Sequence, residues 1–132
     1  MEKSKARILM IKELKGSVVP QIKLFGFKGA FPHFRRQKDK RYDFVSFQFN
    51  KYGGSFVTEC GFVEMNNLQP WEKELGFEKL NYGNAQKSLR LGAIESGLDH
   101  WFEFENFKLE TQFRELAESV NNLLPQMEEF LK

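Results

Sequence analysis

FVSFQFNKYGGSF, residues Phe44–Phe56, decides how the rest of the chain is read. From Tyr42 to Phe49, alternate residues fall on opposite faces of an extended strand. Tyr42, Phe44, Ser46 and Gln48 share one face, and Asp43, Val45, Phe47 and Phe49 share the other. Lys51-Tyr52-Gly53-Gly54 then supplies residues that accept positive φ, as a tight hairpin requires. The chain returns over Ser55–Val63 with Phe56, Thr58, Cys60 and Phe62 aligned on one side. Val45, Phe47 and Phe49 are the predicted core face, which leaves Tyr42, Phe44 and Gln48 facing outward. Cys60 reads as a small core residue rather than a reactive thiol.

Toward the N-terminus, Leu14, Val18 and Ile22 recur at steps of four, joined by Ile11, which predicts an amphipathic helix over about Lys3–Leu24. Pro20 lacks an amide hydrogen and is expected to divide it near Val19. Gly26 is a C-terminal stop. Beyond the hairpin, Pro70–Leu75 predicts a short helix with proline in its first turn. Lys87–Leu91 and Leu98–Glu105 read as strands. In the second of these, Leu98, His100, Phe102 and Phe104 share a core face, and Asp99, Trp101, Glu103 and Glu105 the other. The tail is the clearest helix: Leu109, Phe113, Leu116, Ala117, Val120, Leu123, Leu124, Met127 and Phe130 advance by threes and fours. Asn106 is its expected cap, and Pro125 is expected to kink it or to start a second segment. The sum is a single α+β domain over residues 1–132. Its antiparallel sheet has four to five strands, and its N-terminal and C-terminal helices pack on one face.

Composition supports one core. In 132 residues, 41% are apolar and 15 are phenylalanine, and rings bury large areas with preferred geometry. A lone cysteine allows no internal disulfide, and there is no paired-cysteine pattern for zinc, which points to a reducing, cytoplasmic setting. The basic start is not expected to be a signal peptide, since Lys12 and Glu13 break its apolar run. No stretch approaches a membrane span. Net charge is +2, yet residues 1–51 hold 13 Lys/Arg against 4 Asp/Glu, so the remainder is strongly acidic. Such asymmetry marks either a basic binding face or two halves that lie against each other.

Catalytic chemistry finds little to work with. His33 and His100 are the only histidines, and neither has a partner in the sequence pattern. A Cys60–His100 pair requires neighbouring strands and lacks a local nucleophile signature. Asp99, Glu103 and Glu105 form a carboxylate stripe around Trp101, with Arg90 on an adjacent strand; a solvated sheet face explains it better than a cation site. No cofactor or metal is expected. Lys40–Phe47 matches an RNA-recognition-motif strand at six of eight positions, but Arg41 and Asp43 stand where that pattern has small residues. The strand at Ser55–Val63 also follows where that fold places a helix.

The order of LFGFKGAFPHFRR (residues 24–36), the hairpin, RLG (90–92), LDHWFEF (98–104) and LLPQMEEFL (123–131) resembles a family of small, mainly bacterial proteins catalogued as domain of unknown function 4304. The resemblance covers most of the chain. It departs at Phe25, where such proteins more often carry a polar residue, and at Phe102, where a second tryptophan is common. The resemblance implies an α+β domain and lends no catalytic residues.

The functional expectation therefore rests on surface chemistry: a non-enzymatic, cytoplasmic binding protein whose partner is another protein, for instance a toxin that it neutralises. Single-stranded nucleic acid bound along a basic and aromatic edge is the alternative, and a small hydrolase or transferase the second. The candidate binding residues are Arg35, Arg36, Arg41, Tyr42, Phe44 and Gln48 around the hairpin, and Arg90, Asp99, Trp101 and Glu103 on the later strands. Aromatic and arginine side chains commonly anchor interfaces.

Overall fold

The computed structural model describes residues 2–93 and 100–132. Helix α1 (Lys3–Glu13) passes through a π turn at Leu14–Val18 into α2 (Val19–Leu24). Pro20 has no N–H to donate, and the chain widens ahead of it: the Val19 amide reaches back five residues to the Leu14 carbonyl. Ala6, Met10, Leu14, Val18 and Ile22 form the buried stripe, with Ile11 only half-buried at its margin.

Strands β1 (Lys28–Ala30), β2 (His33–Lys38), β3 (Arg41–Phe49), β4 (Ser55–Glu64) and β5 (Lys87–Arg90) lie side by side in chain order, each antiparallel to the next. The two-residue β6 (Phe102–Glu103) pairs with the start of β4 beside β5. The hairpin turns through Gly53 and Gly54, both at positive φ, as its sequence requires. Between β4 and β5 an excursion carries the short helix α3 (Pro70–Leu75). The last helix, α4 (Glu110–Phe130), lies with α1 and α2 on one sheet face. The fold is the expected α+β arrangement.

The core lies between those helices and the sheet. Phe47, Phe49, Phe56, Phe102, Phe104 and Phe113 form a continuous ring cluster, with Phe49–Phe56 and Phe56–Phe102 stacked at 5.2 and 5.1 Å. Full burial of one such ring contributes about 1.5–3 kcal/mol, and each well-placed ring pair about 0.5–1.5 kcal/mol more.

Several expectations are corrected. Phe44 does not face solvent: it is fully buried in a second cluster with Val63, Leu68 and Leu80 on the sheet face opposite the helices. The excursion after β4 covers it, and strand alternation cannot reveal a cover that comes from elsewhere in the chain. His100 is exposed, its ring set edge-on against Phe102 at 4.7 Å. Leu109 is 63% exposed, and the amides of Lys108 and Leu109 donate to the Gln112 side chain, so Gln112 rather than Asn106 closes the start of α4. Finally, Pro125 starts no second segment: α4 continues through it as one helix. Buried Leu124, Met127 and Leu131 hold both sides of the proline against the sheet and offset a helix-interior cost of about 3 kcal/mol. Among the described residues of the strand expected at Leu98–Glu105, only β6 is strand; Leu98 and Asp99 lie outside the described residues.

Candidate binding face

Strand pairing sorts the candidate residues between the two faces of the sheet. On the helix side, Asp43 of β3 is fully buried and takes two arginines: Arg36 Nη2 at 2.6 Å and Arg41 Nε at 2.7 Å. Arg36 also donates to the Phe25 carbonyl at the end of α2, and Arg41 and Lys38 to the Leu131 carbonyl just after α4. The two guanidiniums lie over the rings of Phe27 and Phe62. Arg36 and Arg41 therefore bind the ends of α2 and α4 to the hairpin. Cys60 lies on the same side without exposure; burial above all, and then the charge of Asp43, push its thiol up to about 12. A thiol in that state is a packing group, not a nucleophile.

The opposite face carries a different set. Register places His33, Ser46, Glu59 and Arg90 in one row across β2, β3, β4 and β5. Glu59 is 3% exposed, and its Oε2 accepts from Arg90 Nε at 3.2 Å. The Arg90 guanidinium stands 6.0 Å from the ring of Trp101, which precedes β6 and is 36% exposed. Tyr82 approaches from the excursion. Burial raises its phenol above the ordinary value; Ser88 lowers it, and the neighbouring carboxylate of Glu59 raises it further. Gly61 lets Ala85 and β5 close in beside it, because a Cβ there would meet the Lys87 carbonyl at 2.7 Å and the Ala85 methyl at 2.8 Å. Burial of a charge-bearing carboxylate is costly unless it is paired, so Glu59 fixes Arg90 in place on this face.

The remaining candidates lie around that row. Arg35 donates from Nε to the Leu80 carbonyl at 3.1 Å and ties the excursion down beside Phe44. Tyr42 is half-buried with its ring 4.5 Å from that of Phe77. Gln48 is exposed, opposite buried Val57. Glu103 is exposed but pairs with Ser55, four residues along β4 from Glu59, or about 13 Å at the usual strand rise. It does not join Arg90 in one cluster. Asp99 lies outside the described residues.

The row His33–Ser46–Glu59 invites comparison with a hydrolytic triad, but its order is wrong. Serine stands between the other two, which leaves His33 and Glu59 two strands apart, about 9.5 Å. The Glu59 carboxylate is instead held by Arg90 on the strand at its other side. Among the described residues no three His, Cys, Asp or Glu side chains converge as metal ligands. What the face offers is a flat guanidinium locked by a buried carboxylate, a partly exposed indole beside it, and hydroxyls at its edge. Sequence reading missed Glu59, Tyr82 and Ser88. Glu59 carried a usable signal: an ionisable residue between Thr58 and Cys60 in an otherwise apolar strand.

No curated protein and no solved structure matches the chain. Residues 18–129 match the family described as Domain of unknown function (DUF4304), which leaves all of α1 and most of the π turn outside the matched region. With all of the sheet and nearly all of α4 inside that match, the chain belongs to the DUF4304 family.

Proposed function

We propose that this chain is a non-enzymatic, cytoplasmic binding module that holds a protein partner on the sheet face opposite its helices. The observation that carries the reading is the Arg90–Trp101 pair, set on that face by the buried carboxylate of Glu59. Arginine and tryptophan are the residue types that most often dominate interface energetics, and a preformed guanidinium loses little freedom on binding. The nucleic-acid alternative is less favoured, because Arg35, Arg36 and Arg41 of the basic hairpin already serve partners within the chain. The lone buried Cys60 supports a reducing compartment. Among the described residues, no helix is long and apolar enough to cross a membrane.

The test is affinity capture with tagged protein, with and without nuclease, followed by titration of the captured partner against Trp101→Ala. Loss of an interface anchor costs about 2 kcal/mol, so binding should weaken about 30-fold while the circular-dichroism spectrum is retained. Unaltered affinity would remove this face from consideration. Capture abolished by nuclease would transfer the reading to nucleic acid.

A further inference from the structure

The helix layer carries a separation of charge that, among the described residues, no ion pair between its two rods uses. Residues 3–24, spanning α1, the π turn and α2, hold six cations against one carboxylate; α4 holds five carboxylates against one arginine. The two rods run in the same direction. At one end, Lys3 lies against Gly53 and Glu105 against Gly54; at the other, Arg36 and Arg41 meet on Asp43 while holding Phe25 and Leu131. Midway, Asn121 donates to the Ser17 carbonyl at 3.2 Å and sets their relative height. Although the rods are neighbours, no ion pair joins them among the described residues; Lys12, Lys15, Glu115 and Glu118 are all exposed. Helix periodicity gives the reason. Lys12 lies on the side of α1 opposite the buried Ala6–Met10–Leu14 stripe, and Glu115 and Glu118 opposite the buried Phe113–Ala117–Val120 stripe, so these three charges point away from the sheet, while Lys15 stands at the margin with its ammonium 5.8 Å from the ring of Phe31. On the basic rod Ile8 is 65% exposed, at an open groove of about 490 Å³ that it lines with Ile11, Lys12, Lys15 and Gly16.

We propose that this layer is the contact surface for a second copy of the chain. A twofold axis parallel to the two rods lays the basic rod of each copy over the acidic α4 of the other and preserves their heights. Counting 1.5 Å per residue from the Ser17–Asn121 contact, Lys12 then falls between the levels of Glu115 and Glu118, and Lys15 beside Glu118. A twofold axis perpendicular to the rods would instead set like on like. The available area is sufficient. A 21-residue helix is about 32 Å long, and two helices about 10 Å apart present a face of roughly 640 Å² per copy, near the lower limit for a specific interface. The proposal is independent of the opposite sheet face.

The test is charge exchange read by sedimentation equilibrium. Wild type should be dimeric in 50 mM salt, with an association constant that falls at least about tenfold in 500 mM salt. Lys12→Glu/Lys15→Glu and Glu115→Lys/Glu118→Lys should each be monomeric, since each places like charges at both contacts. Mixed in equal amounts, the two variants should form a heterodimer, because both contacts are then complementary. All four positions are exposed, and unchanged circular dichroism will verify folding. Monomeric wild type at 100 µM in 50 mM salt would overturn the proposal. So would a dimer indifferent to either variant, or failure of the mixture to associate.

Discussion

Replacing Asp43 by asparagine keeps the side chain's volume and removes the negative charge that two arginines share. Asp43 accepts four contacts: Arg36 Nε and Nη2 at 3.0 and 2.6 Å, and Arg41 Nε and Nη2 at 2.7 and 3.3 Å. Removing one member of a buried ion pair costs about 3–5 kcal/mol, because the remaining charge stays desolvated. Here the guanidiniums retain 18% and 15% exposure, so water recovers part of that cost and a loss of about 3 kcal/mol is expected. For 132 residues the unfolding entropy near the midpoint is about 0.28 kcal/mol/K, so the midpoint should fall by about 11 °C. Urea unfolding followed at 222 nm measures the free energy directly, and its slope should not change. Hydrogen exchange should accelerate first in the last turn of α4, where Arg41 and Lys38 hold the Leu131 carbonyl. Replacing Arg36, Asp43 and Arg41 together by apolar residues should cost much less than Asp43→Asn alone. A single-variant loss below about 1 kcal/mol would refute the assignment of this cluster as the clasp between hairpin and helix ends.

Two further outcomes follow from close packing. Burial of Cys60 favours its neutral thiol in the folded chain, so its contribution to stability is intact below pH 9 and declines as pH rises from there toward about 12. Native protein at pH 9 should therefore react with a thiol reagent no faster than it opens, and Cys60→Ala should lose less stability between pH 9 and 11 than wild type; a fast native-state reaction would contradict both. Gly61→Ala should cost about 1–3 kcal/mol and loosen β5, since the added methyl meets the Lys87 carbonyl at 2.7 Å. Urea unfolding together with hydrogen exchange over Lys87–Arg90 reads this, and unchanged values at both would show that the contact relaxes without cost.

Much of the fold was legible because local rules and tertiary structure agree. Glycines at 53 and 54 leave the chain little choice but a tight turn, and steps of four from Leu14 to Ile22 mark a helix whose division near Pro20 follows from a missing N–H. The face containing Val45, Phe47 and Phe56 is core because alternation in a strand is rigid. Phe44 shows where that logic ends. Alternation placed it correctly on the opposite face, but the Leu68–Leu80 excursion buries that face as well.

The candidate binding face was legible only in part. Arg90 and Trp101 were named from local pattern, yet Glu59, the group that positions Arg90, lies 31 residues upstream in sequence and meets it only through the β4–β5 register. The basic hairpin looked like one patch because its arginines are adjacent along the chain. Pairing across strands divides them: Arg35 reaches Leu80 on one face, while Arg36 and Arg41 close on Asp43 on the other. The sequence by itself determined the elements, the hairpin and the main core face, which depend on interactions a few residues long. Only the tertiary structure decided which charges are spent within the chain and which are presented outward, because that depends on partners brought together from distant positions.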